Sequence, residues 1–435
     1  MAIALDIVIL IGLLVMGVPI PLCFAGAAMY LGLSTGMDMG QMMSSGVHSL
    51  SSLTLLAVPA FILAGGLMNA SGIAERLVRF AEALVGSIKG GLGMVGVIAC
   101  AIVGAIAGTC SAAVAAMGTV LIPKMVERGY DRGYSTALIA SASVLGQLIP
   151  PSLPMILFGY ALQLSVAACF LSTIGPGIIL IVTHVIINRV LVGKMPSITN
   201  PPKGTRSEYF REIGRATYKG SWALIMPVII LGSIYGGIAI PTEAATVACL
   251  YAVLIGLFVY KGLTLRKLYG TLLSMGVTTA VVILMVYFVM ILGRLYTYEN
   301  VPQQLSAGMM AVSTNYYVIL AMVNVFLILL GMIMDDSSGT LLAAPLLWPI
   351  LRSVGVNPYH FAAIMGTNLG LGNITPPCAP ILYLAGRVGG VPLERMIKPA
   401  LIFIFLGTIP VVIVATYWPD LSLWLPRLLM PDIVH

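Results

Sequence analysis

Residues 146–154, Gly-Gln-Leu-Ile-Pro-Pro-Ser-Leu-Pro, and residues 372–380, Gly-Asn-Ile-Thr-Pro-Pro-Cys-Ala-Pro, are two versions of one segment set 226 positions apart. The glycine and all three prolines coincide, and Gln147 pairs with Asn373. The same offset pairs Ser111 with Ser337, Pro123 with Pro349 and Ala137 with Ala363, so one register holds over a long stretch, as an internal repeat requires. Adjacent prolines in apolar surroundings predict a broken helix. Proline has no N–H and displaces the carbonyl one turn earlier, so each pair frees backbone oxygens. For one pair alone, a packed kink is an equally good reading; the repeat favours a built site.

The surroundings are those of a membrane protein. Of 435 residues, 59% are hydrophobic and 9% charged, where soluble domains carry roughly 25% charge; the mean hydropathy is +1.05. Uncharged stretches such as Ile7–Leu33 and Leu50–Met68 match the ~20 apolar residues a bilayer core demands. They recur down the chain without strand-like alternation, so the expected fold class is an all-α polytopic membrane protein. The segment from Leu5 lacks a basic leader and a cleavage site, and is expected to be a retained span within one first apolar run over 4–34. The pieces 110–123, 134–149, 338–351 and 359–373 are too short to cross alone and predict re-entrant or half-helices. The polar stretch Lys194–Lys219, with Pro196, Pro201 and Pro202, predicts the main cytoplasmic loop.

Charge tests whether the repeats are inverted. Let 90–123 and 316–351 be hairpins entering from opposite faces, and 134–172 and 359–391 broken crossings. Of the 22 basic residues, only Arg294, Arg352 and Arg427 then fall on one side. The positive-inside rule makes the other side cytoplasmic, with the N-terminus cytoplasmic and the C-terminus periplasmic. Segment 50–70 runs inward and its partner 274–293 outward. Inverted repeats with discontinuous helices are the architecture of secondary transporters.

The chemistry that carries transport is expected at four interruptions: Gly108–Ser111, Asp335–Gly339 and the two Pro-Pro sites. Freed carbonyls with Thr109, Ser111, Ser337 and Ser338 make a hard-oxygen set suited to Na⁺, and helix N-termini there face an anion. Asp335 is the most informative residue, because an intramembrane carboxylate is a functional-site hypothesis by default; the plain alternative is a helix cap. Asp336 is a candidate for the capping member of the pair, and sequence alone does not separate the two acids. Gln147, Ser141, Ser143, Asn368 and Asn373 flank the breaks and suit either ligation or interhelical hydrogen bonding. Arg294 and Arg352, on the sparsely basic side, suit docking of a partner, with snorkelling as the plain alternative for Arg294. Glu243 after Pro241-Thr242 reads as first-turn helix chemistry.

Several functions are excluded or disfavoured. Six cysteines show no CxxC spacing and are expected to be buried free thiols; four histidines show no ligand spacing. No Walker A, HExxH or GxSxG sequence occurs, so the chain is not expected to be an enzyme, and no cofactor is expected beyond sodium as coupling ion. The net charge of +7 fits cytoplasmic loops rather than nucleic acid. Basic segments 76–89 and 203–219 suit lipid headgroups.

These residues resemble a known family over essentially the whole chain. Val58-Pro59-Ala60-Phe61-Ile62-Leu63-Ala64-Gly65, Gly108-Thr109-Cys110-Ser111-Ala112, Leu148-Ile149-Pro150-Pro151-Ser152, Pro241-Thr242-Glu243-Ala244-Ala245 and Ile374-Thr375-Pro376-Pro377 are similar to the large membrane (M) subunit of TRAP (tripartite ATP-independent periplasmic) transporters, of the dicarboxylate and sialic-acid type. The resemblance implies a sodium-coupled elevator of the ion-transporter superfamily in the bacterial inner membrane. It implies a small four-helix membrane subunit, expected as a separate chain, and a periplasmic substrate-binding protein that delivers an organic acid. Mapped here, sodium and substrate lie near Thr109, Ser111, Pro150, Asp335, Ser338, Asn368 and Thr375, with Ser143, Gln147, Ser337, Asn373 and Pro376 beside them. The implied division is 1–72 scaffold with the start of repeat 1; 73–193 repeat 1 with an inner hairpin (about 90–127) and broken helix (about 134–172); 194–221 cytoplasmic loop; 222–315 scaffold and arm helices; 316–418 repeat 2 with an outer hairpin (about 316–352) and broken helix (about 359–391); and 419–435 C-terminal tail. Two other readings stay open on sequence: a stand-alone sodium-coupled carboxylate symporter or antiporter, and a structural subunit whose partner transports.

Overall fold

A computed structural model of the chain describes residues 2–86, 89–196, 198 and 206–434, apart from the side chains of Arg206 and Glu208. Pro201, Pro202 and Lys203 of the expected loop, and His435, lie outside the described residues. All regular elements among those described are helical.

The expected first span is two helices. α1 (Ala2–Val15) and α2 (Ile20–Thr35) pack together across a turn at Gly17, whose φ is 79°. Pro19 stops the hydrogen-bond ladder there, and Pro21 sits in the first turn of α2, where its missing N–H costs nothing. α3 (Met39–Leu50) starts on the Asp38 cap. After a short 3₁₀ turn, α4 (Ala57–Ser71) leads through Gly72 into the amphipathic α5 (Ile73–Val85).

The first repeat follows. α6 (Gly91–Ala107) and α7 (Cys110–Glu127) form a hairpin whose turn is only Gly108-Thr109, narrower than the expected 108–111. α8 (Arg132–Ala142), the single turn α9 (Leu145–Leu148) and α10 (Leu153–Leu162) make the broken helix, interrupted at Pro150-Pro151. Gln163 in the left-handed region ends α10, and Ser165 caps α11 (Val166–Gly193), so the expected broken helix reaching 172 stops ten residues sooner. The expected loop 194–221 is likewise shorter. Residues from 206 onward belong to α12 (Arg206–Tyr235), in which Tyr209 bonds the Leu84 carbonyl and the polar first half packs along α5. The periodic contact with α5 overrides the polar composition that suggested a loop.

α13 (Pro241–Leu254) begins at a proline, and Glu243 accepts from the Ile240 N–H at 3.0 Å, as first-turn chemistry predicts. α14 (Leu265–Tyr298) is the longest helix among the described residues and carries α2, α3 and α4 on its flanks. α15 (Val301–Val312) joins it to the second hairpin, α16 (Tyr316–Ile333) and α17 (Asp336–Ser353). α18 (Pro358–Ile374) and α19 (Pro380–Gly389) are the second broken helix, interrupted at Pro376-Pro377. α20 (Leu393–Phe403) continues through a wide turn, 404–408, into α21 (Ile409–Tyr417). The expected C-terminal tail is in fact α22 (Pro419–Leu429), packed on α11 with Leu421 against Gly175.

The hairpins approach from opposite ends. At the base of the first, Asn188, near the end of α11, donates to the Gly90 carbonyl and accepts from Tyr134. At the base of the second, Tyr417 donates to the Tyr317 carbonyl, next to the place where α22 meets the first half of α11. The two repeats are therefore inverted, and nine helices among the described residues are long and apolar enough to span a bilayer.

Candidate functional site

The hairpin tips meet at the centre. Thr109, extended at φ −141°, caps α7 by accepting from the Ala112 N–H, and its hydroxyl lies 3.4 Å from that of Ser111, which is exposed. Asp335 caps α17, accepting from the Ser337 N–H at 3.1 Å and from the Ser338 hydroxyl. The sequence left open which of the two acids caps and which faces the site, and capping was the plain alternative for Asp335. Asp336, not Asp335, reaches across: its buried carboxylate accepts from the Cys110 N–H at 3.4 Å. Cys110 and Asp336 are themselves 226 apart, so this bond joins equivalent positions of the two repeats.

Each broken helix is held to a hairpin. The Leu153 N–H, at the start of α10, donates to the Gly108 carbonyl at 2.9 Å. A Cβ at Gly108 would sit 3.0 Å from that nitrogen, and its φ of 71° already favours glycine. Gly146, just before the break, lies so close to the tip that a Cβ would stand 2.6 Å from the Thr109 carbonyl oxygen. In the second repeat, Asn373 turns its amide nitrogen to the Gly331 and Met334 carbonyls, both at 3.1 Å. Gly104 packs on Gly146 as Gly331 packs on Gly372. Both Pro-Pro bonds are cis, Pro150-Pro151 fully buried and Pro377-Cys378 exposed. Cys378 thereby departs from the expected set of buried thiols; the other five are buried or half-buried.

The remaining candidates divide. Gln147 crosses between repeats, donating to the Gly366 carbonyl of α18 at 2.7 Å, while its side-chain oxygen is buried without a partner. Thr375 bonds the Leu371 carbonyl at 2.6 Å, beside the half-buried Pro376. Ser143 bonds only the Ala140 carbonyl of its own helix, and Ser141 has no partner for its buried hydroxyl. Asn368 stands apart, two turns before the break. It donates to Asn324 at 2.9 Å, whose oxygen also accepts from Thr416 at 3.1 Å, and its own oxygen is buried and unpartnered. Arg294 donates to the Ser49 hydroxyl at 3.1 Å, and Arg352 is exposed at the far end of α17.

The tips thus gather the N-termini of α7 and α17, with those of α10 and α19 at the adjoining breaks. Each helix start carries about half a positive charge. Against these stand Asp335 and Asp336. The ion pairs among the described residues are Arg79–Glu75, Lys124–Glu82 and Arg427–Asp420, none at the tips. A buried carboxylate costs several kcal/mol unless it is partnered. Backbone N–H groups and hydroxyls provide part of that here, and a small cation among freed carbonyls would complete it. Sequence reading named Asp336 only as a capping candidate and missed Asn324 and Thr416; the 226-residue offset, which places Asp336 opposite Cys110, was a signal for its crossing role. No group of three or more His, Cys, Asp and Glu side chains suits a transition metal among the described residues.

Two inverted hairpin-plus-broken-helix units, meeting tip to tip inside a helical membrane body, define a polytopic permease rather than an enzyme. Comparison with known proteins places it further. The sequence profile of the tripartite ATP-independent periplasmic transporter DctM component matches residues 7–421, and the chain belongs to that family. It is 35% identical over 375 residues to the C4-dicarboxylate TRAP transporter large permease protein DctM of Pseudomonas aeruginosa, covering 86% of each chain. It is also 35% identical over 427 residues to the sialic acid TRAP transporter large permease protein SiaM of Vibrio cholerae, covering 97% of each. An isethionate TRAP transporter permease protein, DctMQ of Oleidesulfovibrio alaskensis, is 34% identical over 94% of this chain, which spans only 64% of that longer protein. Among solved structures, the YdaH transporter of Alcanivorax borkumensis shares the fold with a TM-score of 0.66 at 15% identity, over 92% of this chain and 99% of the other.

Proposed function

We propose that this chain carries a small organic acid, a C4-dicarboxylate, sialic acid or similar, across the bacterial inner membrane, driven by a sodium gradient. The basic face is cytoplasmic. A periplasmic binding protein delivers the substrate, and a small four-helix subunit completes the membrane part. The two hairpins and two broken helices form a body that slides as an elevator against a scaffold built on α2, α4, α13 and α14.

The observation that carries this reading is the pair of acids at the hairpin tips, without a basic partner among the described residues, set among four helix starts and the carbonyls freed at two breaks. The carboxylates and carbonyl oxygens favour Na⁺ as a hard cation. The helix starts favour the substrate carboxylate once sodium has balanced the acids. Binding of one then promotes binding of the other, which is coupling in the thermodynamic sense.

The test is uptake into liposomes holding the complete complex, with and without the binding protein, against a panel of organic acids. Uptake is expected only with an inward sodium gradient and the binding protein present. Full uptake in sodium-free buffer with a collapsed proton gradient would remove sodium coupling, and full uptake without binding protein would make this a stand-alone carrier.

A further inference from the structure

A second concentration of charge lies on the basic face, away from the hairpin tips. A cleft of about 1430 Å³ opens between the base of the first hairpin and the paired helices α5 and α12. Some of its cations are already engaged. The Arg76 guanidinium stacks 3.6 Å above the Tyr260 ring and donates to the Gly72 carbonyl, and Lys124 lies 3.6 Å from Glu82. Arg128, Arg215 and Lys219 are exposed on the same cleft, and none takes part in an ion pair found among the described residues. They come from two different parts of the fold, the end of α7 and the first half of α12, yet converge on one space.

The wall beyond these cations is apolar and open. Trp222, Ile225 and Val259 line the cleft and expose 46%, 40% and 43% of their surface. Lys219, Trp222 and Ile225 are spaced three apart on one helix, so a charged end and an apolar wall follow each other along one face of α12. A small soluble anion has no use for the apolar part. An amphiphile uses both: an acidic headgroup on the arginines and lysine, and an acyl chain over the indole and aliphatic side chains. Basic pockets between helices on the cytoplasmic side of a membrane recognise phosphate headgroups in this way, and guanidinium suits phosphate oxygens because it presents paired donors.

We propose that this cleft is a binding site for an anionic phospholipid, its phosphate held by Arg128, Arg215 and Lys219 and its chain lying along Trp222, Ile225 and Val259. A lipid so placed bridges the first hairpin and the α5–α12 pair. The site is independent of the acids at the hairpin tips, so it stands or falls separately from the transport reading.

The experiment compares the full chain, in its complex, with the triple variant Arg128→Gln/Arg215→Gln/Lys219→Gln and with Trp222→Ser. Each is purified, stripped of lipid and titrated by native mass spectrometry with phosphatidylglycerol, with phosphatidylcholine of the same chains, and with inorganic phosphate and succinate at matched ionic strength. Phosphatidylglycerol is expected to bind the wild type and to bind the triple variant on the order of 10- to 100-fold more weakly. Trp222→Ser is expected to weaken phosphatidylglycerol but not to make phosphatidylcholine the better ligand. All three altered cations are at the surface, and an unchanged elution profile shows that the variant is folded; the single variant Arg128→Gln, expected to lose several-fold, serves if the triple variant does not assemble. Equal phosphatidylglycerol binding by wild type and variants overturns the proposal. Inorganic phosphate or succinate competing at concentrations like those of the lipid overturns it too, since the cleft would then be an anion vestibule without use of its apolar wall.

Discussion

Replacing Asp336 by Asn keeps the shape of the side chain and removes its charge, which isolates the electrostatic part of the tip contact. The bond to the Cys110 N–H is long, 3.4 Å, and so contributes at most about 1 kcal/mol. The charge matters more. A cation about 4 Å from a carboxylate gains about 4 kcal/mol at an effective dielectric near 20. The opposing helix start, with about half a positive charge, and water entering from the exposed Ser111 and Pro377 reduce that to roughly 2 kcal/mol, or about 30-fold in sodium affinity. The assay is initial uptake rate against sodium concentration in liposomes holding the assembled complex. The half-saturating sodium concentration is expected to rise about 30-fold, with maximal rate restored in part at high sodium. An unchanged sodium curve in a correctly assembled Asp336→Asn complex would refute the placing of a cation between the tips.

Gly146→Ala puts a methyl 2.6 Å from the Thr109 carbonyl oxygen, so the tip must shift; overpacking of this kind costs about 1–3 kcal/mol, and a lower melting temperature together with loss of uptake is expected. Gln147→Ala removes the buried hydrogen bond that ties the repeats together at the Gly366 carbonyl, which costs about 0.5–1.5 kcal/mol and is read as reduced thermal stability; a melting curve like that of the wild type would count against the cross-repeat contact. Cysteines replacing Glu127 and Ser353, both exposed at the bases of opposite hairpins, are expected to react with an impermeant maleimide from opposite sides of the membrane. Labelling of both from one side would contradict the inversion.

The sequence carried the repeats because proline and glycine act locally. Pro150-Pro151 and Pro376-Pro377 break a helix wherever they stand, and Gly108 turns one. The paired register and the charge asymmetry then gave the inversion. What escaped was set by packing at a distance. The first half of α12 looks like a polar linker, and only the face of α5 makes it a helix. Pro19 inside a long apolar run was too weak a signal to split α1 from α2, although Gly17 stood beside it. The site was legible as a neighbourhood but not as roles. Two adjacent aspartates are interchangeable on paper; which one caps its own helix and which one crosses depends on the direction in which α17 leaves the turn. Asn324 and Thr416 lay in spans that seemed uniformly apolar, and only the fold brings them to Asn368.

The tie between the Leu153 N–H and the Gly108 carbonyl is main chain on both sides. No exchange of side chain deletes either atom, save a proline at 153. Mutational drift therefore touches this fastening only through residues that shape the backbone around it, and a saturation scan should show it as intolerance at 108 and 151–153 rather than as a missing polar group. Swapping the amide at 153 for an ester is the one surgical way to loosen it while leaving every neighbour in place.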